Sequence, residues 1–408
     1  LHLAADQCAP ECTEYLLGKY PEMARQLSSD GCTPLHCLNS GMRSVVREPS
    51  EEDTRKVLQL LLAAGLEVDD RSRSETTPLH FACHRGDSVM ASLLIQAGAD
   101  VNAIDWSGWT PLMMMYGRDS YNEPPSDLER RAPTVKVLLA AGADPNTVSE
   151  IGETALHKLV SGGYSEAALL VIEAGADVNA RDNKGNTPLL AIRYPADIEC
   201  VRHLIRAGAD VNARNNEGLT ALHTAVTASS PAMLDALVAG GADISVSSFG
   251  GRYLLHLAAS SGSDAVVGRL LSLGLAVDAR DENGLTPLHY AAEKSLECVR
   301  ALIAGGADVN AQDKRSRTPL LHMLKESREA DLDIVKYLVE SGADVNHADH
   351  IGITALHVAA GEGLSDVISF LIEEGADRAA KDVHGAIPRD LATGMARHYR
   401  DMLSPVEP

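Results

Sequence analysis

Thr286-Pro287-Leu288-His289-Tyr290-Ala291-Ala292, continued by Cys298-Val299-Arg300-Ala301-Leu302-Ile303 and closed by Gly305-Gly306-Ala307-Asp308-Val309-Asn310, is the stretch that decides the fold of this chain. Thr286 has a hydroxyl suited to capping a helix, and Pro287 suits the first helical position, where no N–H is required. Leu288, Ala291 and Ala292 then follow at helical spacing, and a second apolar stripe runs through Cys298, Val299, Leu302 and Ile303. Gly305-Gly306 ends that helix, because a residue without Cβ enters the left-handed conformation freely. The polar stretch from Ala307 to Asp313 reads as a loop or hairpin leading to the next Thr, Thr318.

The opening phrase recurs along the chain. Thr-Pro-Leu-His stands complete at Thr33–His36, Thr77–His80 and Thr286–His289, with weaker copies starting at Thr110, Thr154, Thr187, Thr220, Tyr253, Thr318, Thr354 and Ile387. A spacing near 33 residues means stacked supersecondary units, none of which can bury its apolar face alone. From the helix-ending Gly to the next start the distance is always 12 residues, as in Gly65 to Thr77 or Gly375 to Ile387. All length variation falls between the start and that Gly, where a loop joining two helices tolerates insertion. The chain thus reads as one array over 1–400 with a truncated first unit, insertions near 42–53 and 117–133, a polar terminal cap at 387–403 and a tail at 401–408. Tyr121-Asn122-Glu123-Pro124-Pro125-Ser126 reads as an exposed loop.

This pattern resembles the ankyrin repeat, whose full form stands at Asp182–Ala213 with minor changes. The resemblance covers nearly all of 1–400, in about twelve units. It implies an all-α repeat solenoid of stacked antiparallel helix pairs with projecting β-hairpin fingers. In that family the fingers and first helices form a concave, partner-binding side, and the recurring His makes structural hydrogen bonds between units.

Composition narrows the function. The formal charge of -21, from 57 acidic and 36 basic residues, opposes binding to a phosphate backbone or an anionic membrane. The seven cysteines form no regular framework and suit a reducing compartment, cytoplasmic or nuclear. Cys12, Cys200 and Cys298 share one slot, which reads as that of a small buried hydrophobe. Of the 15 histidines, eight (from His2 to His357) fill one slot of the repeat, which removes them from acid–base or metal roles. No phosphate loop, His-Glu-x-x-His or Gly-x-Ser-x-Gly occurs, so the chain reads as non-catalytic, without a cofactor or metal.

Departures from the repeat are then the candidate binding residues. Both tryptophans, Trp106 and Trp109, lie in one finger, and the same unit continues Met113-Met114-Met115-Tyr116. Phe249 occupies the Trp106 slot of another unit, with Arg252 and Tyr253 after it, and Lys314-Arg315-Ser316-Arg317 makes a basic tip. The slots four residues and one residue before the unit start vary freely in type and so read as exposed, where aromatic residues suit interface anchors. Packing of the tryptophans on adjacent fingers is the alternative. The expected partner-binding set is Trp106, Trp109, Tyr116, Phe249, Arg252, Tyr253, Arg315 and Arg317. The expected function is a monomeric scaffold or adaptor for a protein partner. The alternative is a targeting or regulatory arm of a larger enzyme or channel, with its other domains upstream of residue 1.

Overall fold

A computed structural model describes residues 1–38, 50–115, 125–193, 198–326, 330–392 and 400–404, with the side chains of 125–130 outside the description. The chain forms two compact units, Leu1–Asn216 and Glu217–Pro408. Each is a stack of short helix pairs joined by fingers.

In the first unit the pairs are best seen in Pro78–His84 with Ser88–Gln96, and Ala155–Ser161 with Ser165–Glu173. In the second they include Leu254–Ser261 with Asp264–Ser272, Pro287–Ala292 with Leu296–Ala304, and Ala355–Glu362 with Ser365–Glu373. Helices of six to nine residues are not stable in water by themselves. They persist here because Leu288, Ala291, Cys298, Val299 and Leu302, with counterparts such as Leu79, Ala82, Leu156 and Leu356, are fully buried between layers. At roughly 1.5–3 kcal/mol per large side chain, that burial outweighs any intrinsic helix propensity.

Two second helices are longer. Glu51–Ala63 has 13 residues and Pro125–Ala140 has 16, against nine in Ser88–Gln96. The latter corrects the reading of Pro125-Ser126 as loop: Pro125 is the first residue of the helix, a position where its missing N–H costs nothing. Part of the insertion is therefore absorbed as extra helical turns. Tyr121–Pro124 lies outside the described residues. Cys200 and Cys298 are buried in their shared slot, as expected, but Cys12 is exposed.

The fingers are tight turns rather than strand-paired hairpins. Among the described residues the only β-bridges are the isolated pairs Ser247–Tyr253 and Ala348–Thr354. An Asp side chain holds many of these turns: Asp105 accepts from the amides of Ser107 and Trp109 at 2.9 and 2.8 Å, and Asp281, Asp313, Asp349 and Asp382 repeat the arrangement. The hydroxyls of Ser28, Ser72 and Ser149 accept turn amides in the same position. Neighbouring tips are joined by one backbone bond each. Glu150 N–H donates to Ser107 O at 3.0 Å and Asn183 N–H to Ile151 O at 2.9 Å in the first unit; Glu282 to Gly250 and Lys314 to Asn283 do the same in the second. The constant 12-residue interval follows, since a longer finger would lose its rung. Gly152, at φ +77°, is needed twice over, because a Cβ there would meet the Asn183 amide nitrogen at 2.9 Å.

A second line of bonds runs along the base of the fingers. Asn146 Nδ2 donates to Gly175 O at 3.0 Å while its Oδ1 accepts from Asp177 N at 2.8 Å. Asn179, Asn310 and Asn346 bridge to their following units in the same way.

Candidate functional site

The recurring His is fixed chemically by its two neighbours. In the unit starting at Thr286, the Thr286 amide donates to His289 Nδ1 at 3.1 Å, and His289 Nε2 lies 3.0 Å from the Arg317 carbonyl of the next finger. An amide can only donate and a carbonyl can only accept, so the ring is the neutral tautomer with its proton on Nε2. His36, His80, His157 and His256 make the same pair of bonds, the Nε2 partner being Thr76, Trp109, Asn186 and Leu285. Burial pushes the pKa of all five below the ordinary value, that of His289 to about 4. These imidazoles are inter-unit fasteners. Where the slot holds Met113 or Leu190 instead, the buried hydroxyls of Thr110 and Thr187 have no partner among the described residues.

The two variable finger slots differ in orientation. The slot four residues before each unit start is at the tip and exposed: Trp106 is 72% and Phe249 88% accessible, and Lys314 is exposed as well. The slot one residue before the start turns inward, contrary to the expectation that both are surface positions. Where the preceding unit has the slot His, its carbonyl receives that ring, and its side chain is buried or half-buried. Trp109 is accordingly half-buried, with Lys158 Nζ 4.3 Å from its ring centroid and the same ammonium paired with Glu153. Arg317 occupies the same slot and is 7% exposed, so the expected basic tip is reduced to Lys314 and Arg315.

Arg317 is held by two carboxylates. Its Nε donates to Asp313 and an Nη to Glu326, each at 2.8 Å. Burial pushes the Asp313 carboxyl upward, but donation from the Arg317 and Arg315 amides and the Arg317 guanidinium holds it below its usual range. The Arg317 hydrogen bond likewise lowers Glu326. Beside this cluster His322 Nε2 lies 2.7 Å from Glu293, and Tyr290 Oη donates to Asp281 at 2.8 Å. Tyr290, Glu293, Asp313, Arg317, His322 and Glu326 line a cavity of about 350 Å³ between adjacent fingers and first helices of the second unit.

The other candidates fall as follows. Tyr253 is 39% exposed, replaces the capping Thr, and its amide donates to His256 Nδ1 at 3.1 Å. Arg252 is half-buried and Arg315 exposed. Tyr116 lies outside the described residues. Trp106 and Phe249 belong to different compact units.

Around Trp106 the structure adds residues that sequence reasoning passed over. Ile104, Val148 and Ile151 are 50%, 57% and 52% exposed on the same finger and the next one. Their signal was present in the repeat: Ile104 and Val148 stand where other fingers carry Arg71, Arg181 or Arg280, whose guanidinium groups reach the carbonyls of Ile104, Arg214 and Gln312.

Known proteins supply the comparison. The family model for ankyrin repeats (3 copies) matches residues 50–118, 128–215, 184–248, 230–313 and 294–382. Similar proteins include ankyrin repeat and SOCS box protein 16 of Mus musculus, 33% identical over 172 residues, which are 42% of this chain and 35% of that protein. The B-cell lymphoma 3 protein homolog of Mus musculus is 32% identical over 37% of this chain and 31% of its own length. E3 ubiquitin-protein ligase KEG of Arabidopsis thaliana is 28% identical over 33% of this chain and 10% of its length. The matched segments thus span about a third or less of these relatives. With its repeat phrase, neutral slot histidines and family match in agreement, the chain belongs to the ankyrin-repeat family.

Proposed function

We propose that this protein is a non-catalytic scaffold or adaptor that binds a protein partner through its finger tips and first helices. Ankyrin repeats are generally protein-interaction modules, and this array supplies anchors suited to that use. The observation that carries the reading is the exposure of Trp106 and Phe249 on tips whose backbones are fixed to their neighbours. A large aromatic side chain on a rigid support loses little entropy on binding and makes an efficient hot spot. Ile104, Val148 and Ile151 extend the apolar surface around Trp106. Arg252, Tyr253 and Arg315 add polar contacts, and Trp109 supports its finger from beneath. Seven free cysteines suit a reducing compartment, cytoplasm or nucleus, and we expect a monomer.

Affinity capture from native lysate tests this, with Trp106, Trp109 and Phe249 replaced together by Ala. The expected result is partner bands that disappear in the triple variant and equally in the Trp106/Phe249 double variant, which keeps the half-buried Trp109 and so changes the melting profile little. Unchanged capture by that variant refutes the anchors. A second reading, a targeting or regulatory arm of a larger protein, is favoured by the small share of KEG that the match covers. The full-length coding sequence separates the two, since a start codon within a repeat or two of Leu1 removes the second.

A further inference from the structure

The cavity in the second unit has a chemical polarity that its residue types alone do not show. Lys314 and Arg315 stand at the finger tip, exposed. Glu293 and Glu326 stand at the other side, at the C-terminal ends of the first helices Pro287–Ala292 and Pro319–Glu326. Between them Arg317 is already divided between Asp313 and Glu326. Asp313 and Glu326 therefore share one permanently charged partner, and Glu293 on the same side is paired only with the His322 ring.

Acceptor capacity remains on Glu293, His322 and Tyr290. Glu293 receives one bond, from His322 Nε2. An imidazole that donates through Nε2 presents Nδ1 as an acceptor when neutral. His322 is only 4% exposed, and its Nδ1 has no partner among the described residues. A buried acceptor left unpaired is costly, so a ligand donor that reached it would gain more than at a hydrated surface. The Tyr290 hydroxyl spends its proton on Asp281, leaving lone pairs on this side as well.

We infer that this cavity receives the guanidinium of an arginine from an extended segment of a partner protein, and that Lys314 and Arg315 at its mouth favour an acidic residue beside that arginine. A guanidinium offers five donors in a planar fork, matched to a carboxylate with a second acceptor nearby, whereas lysine offers a single strongly hydrated point charge. A volume of about 350 Å³ suits one extended side chain and the backbone that carries it. The net charge of -21 attracts a basic segment over distance, and the two tip cations then repel one that is basic throughout.

This inference rests on the protein-binding reading but not on its aromatic anchors, and the test keeps the two apart. Fluorescein-labelled Gly-Ser-Arg-Ser-Asp-Ser-Gly is titrated with the full chain at low salt, beside peptides with Gln for Arg or Lys for Asp. The Arg/Asp peptide is expected to bind, with affinity falling about tenfold on Arg to Gln and about threefold on Asp to Lys. Glu293→Gln should weaken the Arg peptide about fivefold and leave the Gln peptide unchanged, while Glu297→Gln on the second helix changes neither. Amide spectra of Glu293→Gln that match the unmodified protein away from the cavity exclude misfolding. Equal binding of the Arg and Gln peptides, indifference to Glu293→Gln, or no binding at millimolar protein overturns the proposal. Trp106→Ala should leave peptide binding intact, so lysate capture that is unchanged in the aromatic variants refutes only the aromatic anchors.

Discussion

Replacing His289 by Gln should give a destabilisation that shrinks and then vanishes on acidification. At neutral pH the wild-type ring accepts from the Thr286 amide at 3.1 Å and donates to the Arg317 carbonyl at 3.0 Å. Losing two such bonds costs about 2 kcal/mol, at about 1 kcal/mol each. The ring must stay neutral, because a proton on Nδ1 would face the Thr286 N–H with no acceptor between them. Its folded pKa is therefore lowered, by burial first, from 6.5 to about 4. For a base with a depressed folded pKa the unfolded chain binds the extra proton. The stability contribution is thus complete above the unfolded value of 6.5 and falls as pH drops through the window from 6.5 to about 4. At about 1.4 kcal/mol per pH unit, the wild type loses about 2 kcal/mol by roughly pH 5, whereas the Gln variant has no such term at this site. The two proteins should then be equally stable near pH 5. Because a repeat array need not unfold as one unit, the local reading is hydrogen exchange at the Val299 and Leu302 amides, corrected for intrinsic rate and followed from pH 7.5 to 5. A difference that stays constant over that range would refute the neutral-fastener assignment.

Four further outcomes follow from the same geometry. Thr110→Val should be neutral or stabilising by up to about 1 kcal/mol, since its buried hydroxyl has no partner among the described residues, whereas Thr77→Val should destabilise by about 1 kcal/mol through loss of the 2.9 Å contact to His80; thermal melts of the pair distinguish them. Ser316→Gly should stabilise by about 0.5–1 kcal/mol, because Ser316 holds φ +58° in the tip slot that most fingers fill with Gly, and urea midpoints report it. Gly352→Ala should destabilise by more than about 1 kcal/mol, since φ is +80° and its Cβ would lie 2.9 Å from Asp382 Cα. Arg317→Met should cost about 3 kcal/mol in the same assay, because it leaves the Asp313 side chain, 2% exposed, without its cation; Glu326→Gln, at a half-exposed carboxylate, should cost less than about 1 kcal/mol.

The scaffold was legible because each element of the repeat phrase has one dominant physical use. Pro at the first helical position, Gly at the helix end with φ near +90° and the constant finger length all serve as the sequence suggests. The surface was less legible. Trp109 and Arg317 share a slot that varies in residue type, and variability suggests exposure. The slot turns inward nonetheless, because its carbonyl must meet the preceding unit's His. Arg317 and Asp313 stand four apart across a turn, a spacing that could have signalled the ion pair, but a basic run in an acidic chain draws attention to charge rather than to pairing. Pro125 was ambiguous for a similar reason, since proline both breaks a helix and begins one. Ile104 and Val148 were visible only once the arginines in that slot were seen to reach the next finger's carbonyl.

These observations separate what the array must keep from what it can vary. Inter-unit cohesion uses the backbone of the tips, the Asn at the finger base and the slot His, none of which depends on the tip side chain, although Asn183 and Asn216 add a side-chain bond to the neighbouring tip. A tip can therefore change from Asn183 to Trp106 or Lys314 without altering the rung beneath it. The inward slot has a second freedom, since it can hold Leu285, Trp109 or Arg317, provided that the next first helix carries a complement. Leu285 needs only apolar cover, Trp109 has Lys158 above its ring, and Arg317 has Glu326. Substituting an inward residue alone thus breaks a pair, and the cavity around Arg317 exists because that pair is charged. Specificity in this array resides in two layers: single side chains at the tips, and matched pairs one layer below.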